Sequence, residues 1–339
     1  MPAAQRRTVE VRAGAAFELL VGLAAVAAPE PRSGSWAPPE PSPPLRRALA
    51  RVGAQTSEVW LHLLGLALEA PPEMDARGFV RHVSRIDERE LRRHVVGVHV
   101  PAWRERVGAS ALERAAAGDA KAIRTLLADR RYYAGQAREA LELLLPLPAR
   151  ETRRRLLAVL RRFARDVFEP VERTIVGRLE ADAARKASLR GEALIAAATR
   201  GYAYEPEPEL PRVVLFPHLA ASPWLLLCQH RDTRLIGYPV GDEPAGGEDA
   251  LRARALALGR ALGDEGRVTM LRRLAAGPAS LDELAAASGL ARSTAHHHLA
   301  ALRTAGLVVL RGNARSYRYE LRRDGLAEGR ALLAELERE

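Results

Sequence analysis

The chain has 339 residues, with 52 basic against 42 acidic side chains and a formal net charge of +10 at pH 7. That is a two-domain length of ordinary globular composition, 47% hydrophobic and 28% charged, which excludes a disordered chain and makes a polyanion the first partner to test. A single cysteine, Cys228, excludes an internal disulfide framework and a multi-thiolate zinc site.

All the basic residues except Lys121 and Lys186 are arginine, a skew typical of GC-rich bacterial coding, so the raw arginine count carries little weight. In chain order, the alternation Val9, Glu10, Val11, Arg12 predicts a short strand. The apolar stretch 19–28 is about half the ~20 residues of a membrane span. No export signal or span is read, and a cytoplasmic protein that does not engage a membrane is expected. Residues 29–44 hold seven prolines in sixteen positions and read as a surface loop.

From 45 to 200 the pattern is almost entirely helical. Leu49, Val52, Val59, Leu63, Leu66 and Ala67 recur near a 3.6 period over 45–70, and shorter helices are expected around 75–86, 87–96, 110–118, 119–130 and 136–145. Residues 148–200 form a long amphipathic stretch that Pro170 should kink or split. After an extended connector at 202–211, the runs beginning at Arg212, Trp224 and Arg234 read as short strands. Glycines and acids at 239–249 mark the domain boundary, giving a mainly helical effector or dimerisation domain, 1–245, and a second domain, 246–339. Nothing resembles a phosphate loop or a dinucleotide fingerprint, and no enzyme is expected.

The C-terminal segment is more specific. Residues 251–262 and 266–276 read as helices, the second carrying Val268, Leu271 and Leu274 and stopped by Gly277 and Pro278. Ser280 with Glu283 has the form of a capping box for a helix that ends at Ser288 and Gly289. A second helix, 292–304, follows the tight turn and ends at Gly306, which is the spacing of a helix-turn-helix. Two alternating runs, 307–310 and 316–321, flank a basic tip at 311–315 and describe a β-hairpin. The final helix, 324–337, offers Leu326, Leu332, Leu333 and Leu336 as its apolar set. The fold class is therefore mainly α with small β: a helical N-terminal domain with a short β-sheet, plus a C-terminal winged helix-turn-helix.

These motifs, with Thr304, Ala305, Gly306, Leu307 and Val308 in register, resemble the ArsR-type winged helix-turn-helix regulators over roughly residues 250–325. Residues 1–245 resemble an uncharacterised helical domain fused to such modules in actinobacterial regulators. The resemblance implies a sequence-specific DNA-binding transcriptional regulator acting on double-stranded DNA. It also implies a homodimer formed through helices 251–262 and 326–336, hence a palindromic operator. A repressor is expected, with a small-molecule or protein effector at the N-terminal domain. The competing expectation is a protein-interaction scaffold that uses the winged helix to dock protein.

The recognition helix is a sorting problem. Leu290, Ala295, Leu299 and Leu302 share one stripe and must face the core. The opposite face presents Arg292, Ser293, Thr294, His296 and His297 to a major groove. His298 in the family's His-Leu pair packs inward. Arg311 and Arg315 on the wing would meet phosphates or the minor groove, with Arg303 and Arg318 as lesser contacts. Ala291 stands where the family usually carries a capping side chain. Between positions 264 and 323 there are ten arginines against five acids, so positive charge concentrates on this module.

Plainer readings apply elsewhere. His296, His297 and His298 splay about 100° apart on a helix and cannot converge on one ion. No cysteine lies in the winged helix, and neither a metal nor a cofactor is expected. His82, His94 and His99, with Asp87 and Glu88 nearby, could make an oxygen/nitrogen site, but ordinary surface or core histidines are the expected reading. Cys228 reads as a small buried hydrophobe. Trp36, Trp60, Trp103 and Trp224, with Tyr132 and Tyr133, read as core rather than a ligand pocket. The arginines at 153–155 and 161–162 read as a solvated helix face, with a second DNA contact as the alternative.

Overall fold

The computed structural model describes residues 7–28, 36–53, 56–129, 132, 137–241, 248–313 and 316–336. The chain forms two compact units, one of Met1–Ser188 with Glu209–Val240 and one of Leu189–Pro208 with Gly241–Glu339. One boundary lies between Val240 and Gly241, near the expected 245, and residues 189–208 in addition join the C-terminal unit.

In the first unit, the early apolar run is a core helix. Apart from Glu18, helix Ala15–Val26 is apolar, and Leu19, Leu20, Val21, Leu23 and Ala24 are fully buried, as a helix without a polar face must be. Among the described residues no helix is long and apolar enough to cross a membrane. The sheet has the order β1-β3-β5-β4, with β1 (Thr8–Val11) and β5 (Thr233–Pro239) parallel to β3 (Arg212–His218), and β4 (Leu226–His230) antiparallel to β5. The two inner strands, β3 and β5, are buried on both faces and read as near-continuous apolar runs, whereas β4 is half-exposed at an edge. Phe17 stacks on Phe216 at 4.8 Å, fixing the core helix to the sheet.

That same helix buries Glu18, whose carboxylate accepts from the Leu219 and Ala220 backbone amides at 3.1 and 2.8 Å. Burial raises its pKa to about 8 against the lowering effect of those amides. Downstream, helix Ala149–Phe163 widens into a π-helical turn at Ala164–Phe168 and breaks before helix Glu172–Arg185, where Pro170 denies the backbone a donor.

Arg153, Arg154 and Arg155 of helix Ala149–Phe163 are engaged within the unit. Arg154 and Arg155 bind Glu151 at 2.7 and 3.0 Å, and Arg153 donates to the Ser84 carbonyl. The aromatics pack separately. Trp36 meets Phe168 edge-on, Trp60 donates to Thr56 inside the core, and Trp103 lies edge-on to Tyr132; Tyr133 lies outside the described residues. Cys228 is half-buried on β4, and desolvation pushes its thiol up to about 12, which removes its nucleophilicity at neutral pH.

In the second unit, helices Glu248–Leu262, Glu265–Ala275, Leu281–Ser288 and Arg292–Thr304 lead into the hairpin of β6 (Val308–Asn313) and β7 (Ser316–Leu321), then helix Arg323–Leu336. This order is a winged helix. Its core gathers Met270, Leu274, Leu284, Ala295, Leu299, Leu302, Leu307, Val308 and Tyr319. A two-way backbone bridge between Ala279 and Tyr319 pins the start of helix Leu281–Ser288 to the wing.

The unexpected part is β2 (Tyr202–Tyr204), which the sequence presents only as a connector. It pairs in parallel with β6, so the sheet has the order β2-β6-β7. An isolated hairpin leaves the outer edge of β6 with unpaired amides and carbonyls, and β2 satisfies that edge. Tyr202 is buried, and its hydroxyl donates to the Gly312 carbonyl at 3.1 Å. Helix Gly191–Thr199 is carried with β2 into the same unit.

Candidate nucleic-acid interface

The helix-turn-helix is set by local chemistry. Both halves of the capping box are present: the Glu283 amide donates to Ser280 Oγ at 3.2 Å, and the Ser280 amide donates to Glu283 Oε2 at 2.7 Å. Gly289 ends that helix at φ +66°, in the left-handed region where a side chain would be strained. The next helix, Arg292–Thr304, starts at Ala291 with no side-chain cap. Its first-turn amides are therefore left for solvent or for an outside acceptor such as phosphate.

Packing sorts the side chains of this helix as its periodicity requires. Ala295, Leu299 and Leu302 are fully buried and Leu290 is half-buried, while Arg292, Ser293, Thr294, His296 and His297 are exposed on the other side. His298 is half-buried. Its Nδ1 accepts from Arg267 Nη1 at 3.0 Å, and its Nε2 lies 3.7 Å from Asp264 Oδ1. Desolvation lowers its pKa, and with Arg267 donating to its ring it serves the module as a strut.

The wing departs from the expected picture in one respect. Arg311 lies within β6 rather than at the hairpin tip, directly opposite Arg318 of β7. Opposed residues of an antiparallel pair project from the same face, so both arginines leave the wing on one side. Arg311 is held by Glu320 at 2.8 Å and Arg318 by Glu283 at 3.6 Å; on the recognition helix, Arg292 meets Asp282 at 2.8 Å. These pairs are exposed and worth about 0–1 kcal/mol each, so phosphate can displace the carboxylates readily. Arg315 lies outside the described residues.

Arg303 does not belong to this surface. It is 6% exposed, and its Nη1 donates to the Thr199 carbonyl at 2.7 Å. Its stem passes against Gly201, where an added Cβ would lie 3.0 Å from Arg303 Cγ. Position 303 falls on the core side of the helix, one residue beyond Leu302, and the charge is tolerated because residues 189–208 bring a carbonyl to it. What sequence reasoning missed here are the carboxylates of Asp282, Glu283 and Glu320 that hold the candidate arginines. Glu283 was visible as a cap, but its second role needs the wing to fold back beside it.

Two further surfaces lie within this unit. A cleft of about 760 Å³ is bordered by Arg200, Tyr202, Arg254, Arg311 and Arg322. Leu256 and Leu262 on helix Glu248–Leu262, and Leu326 and Leu333 on helix Arg323–Leu336, are exposed apolar side chains, whereas Leu332 is buried. The Leu336 side chain lies outside the described residues.

Residues 264–309 match the family model described as bacterial regulatory protein, arsR family. Among solved structures, the crystal structure of NolR from Sinorhizobium fredii aligns at 26% sequence identity, covering 28% of this chain and 95% of that one, with a TM-score of 0.23. No curated protein sequence matches.

Proposed function

We propose that the protein is a dimeric, sequence-specific DNA-binding transcriptional repressor whose larger unit receives a ligand or a protein partner. The observation that carries the reading is the segregation of side chains on helix Arg292–Thr304, within a segment matching the arsR-family model. Apolar residues point inward, and Arg292, Ser293, Thr294, His296 and His297 form one exposed face. The hydroxyls and the uncapped first turn suit phosphates, while Arg292 and the two imidazoles suit acceptors on base edges. The opposed Arg311 and Arg318 give the wing a doubly charged face for the neighbouring backbone, with Arg315 adjoining them in sequence.

A single module of this kind reads too few base pairs for selectivity, so two copies act together. The exposed leucines of the two flanking helices supply the apolar seam for a twofold pair, and half-sites about 34–36 Å apart follow. Selection of duplexes from a random pool by the purified full-length protein tests this. The expected product is a palindrome bound with steep salt dependence. His297→Ala should relax preference at one base position by about 1–3 kcal/mol. A protein that binds DNA without salt sensitivity, or not at all, would instead place the winged helix in protein docking.

A further inference from the structure

Helix Glu88–Val96, in the first unit, is set by Asp87, whose side chain accepts from the amides of Arg89 and Glu90. Asp87 is thereby occupied as a cap, and the acid that faces the histidines is Glu90. Glu90 and His94 are four residues apart and share a helix face. The helix ends at Gly97, whose φ of +79° turns the chain back and returns His99 beside His94. A Cβ at Gly97 would lie 2.8 Å from Trp103 Cδ1 and 2.9 Å from His62 Cε1, so both the backbone angle and the space demand glycine. The carbonyl of His99 is then fixed by the Arg231 amide at 2.7 Å.

We propose that Glu90, His94 and His99 form a binding site for a first-row divalent transition-metal ion of the zinc class. Their ligand atoms all lie within 4.8 Å of one another. Glu90 Oε1 is 2.7 Å from His99 Nε2 and 3.7 Å from His94 Nε2. Ligands on a tetrahedral zinc at about 2.0–2.1 Å are separated by about 3.4 Å, a value those two distances bracket. Two imidazoles and one carboxylate form a borderline donor set that suits zinc, cobalt or nickel better than calcium or magnesium. Three protein ligands leave the fourth position to water.

His94 is the second observation. It is 2% exposed, its Nδ1 has no hydrogen-bond partner, and its Nε2 is too far from Glu90 to bond. Nε2 is the nitrogen nearest Glu90, so an ion between Glu90 and His99 would take up its lone pair and hold the proton on Nδ1. His62, nearby, differs: its Nδ1 faces the Val95 carbonyl at 3.3 Å, and its Nε2 accepts from Trp103 at 3.3 Å.

His230 is a wall of this site rather than a ligand. Its ring stacks on His94 at 5.3 Å and 11°, its Nε2 is bound to Glu69 at 2.9 Å, and its Nδ1 sits where a Cβ on Gly65 would come within 2.2 Å. Arg93 holds the other Glu90 oxygen, Oε2, at 2.9 Å and so turns Oε1 toward the histidines. Supports of this kind are what fix a metal ligand's orientation.

The test is titration of chelator-treated full-length protein with Co²⁺, followed by displacement with Zn²⁺. One ion per chain, with visible ligand-field absorption lost on adding zinc, is expected. Glu90→Gln and His99→Gln should each weaken binding by about tenfold or more, and His82→Ala should leave it unchanged. X-ray absorption of the cobalt-loaded wild-type protein gives a readout independent of variant folding, with two imidazoles in the first shell expected. Failure of the wild type to bind either ion, wild-type affinity in both ligand variants, or a shell without imidazole would each overturn the assignment.

Discussion

Arg303 separates a DNA contact from a structural charge. Burial lowers its pKa to about 10, which corresponds to about 3 kcal/mol of penalty on the charged form. Arg303→Met keeps an unbranched stem against Gly201 and relieves that penalty. It also orphans the Thr199 carbonyl, at a cost of about 1–3 kcal/mol. The two nearly cancel, so the methionine variant should unfold within about 1 kcal/mol of wild type, as replaced buried charges often do. Arg303→Ala also loses stem methylenes worth about 0.8 kcal/mol each and should be less stable than the methionine variant by about 2 kcal/mol. Denaturant midpoints of the full-length protein read the stability, and fluorescence anisotropy of a labelled duplex at several salt concentrations reads the contact. Neither variant should alter the salt slope. A slope flattened by about 0.9 in Arg303→Met would mean the guanidinium reaches a phosphate, and equal stability of the two variants would refute the packing argument.

Removing the wing pair with Arg311→Ala and Arg318→Ala should flatten the slope of log affinity against log salt by about 1.8 and weaken all duplexes alike, measured by the same anisotropy series; an unchanged slope would remove the wing from the interface. Glu18 should give stability a pH dependence. Its folded pKa is raised to about 8, so its contribution is fullest below the unfolded value near 4.5 and is lost as pH rises through 8. Glu18→Gln keeps an acceptor for the Leu219 and Ala220 amides, and its denaturation midpoints across pH 4–9 should lose that component of the slope. Leu326→Glu with Leu333→Glu places charge on the exposed seam and should convert the expected dimer to a monomer in light scattering; an unchanged mass would move the dimer contact elsewhere.

The sequence by itself determined the local pieces of the C-terminal module: the capping box at Ser280 and Glu283, the glycine turn at 289, the inward stripe of Ala295, Leu299 and Leu302, and the polar face opposite. Each follows from hydrogen bonds and periodicity within a few residues, which is why it can be read along the chain. Pro170 marked its helix break in the same way. Tertiary structure decided whatever depends on a distant partner. Residues 202–204 look like a connector until the open edge of β6 is present to pair with them, and Arg303 looks exposed until the Thr199 carbonyl arrives beside it. Likewise, Glu90 is one acid among several around position 90 until Gly97 turns the chain and brings His99 back to it. Composition and period set which face of an element is buried; they carry no information on which remote backbone group will answer a buried charge, and that pairing is fixed only when the elements pack.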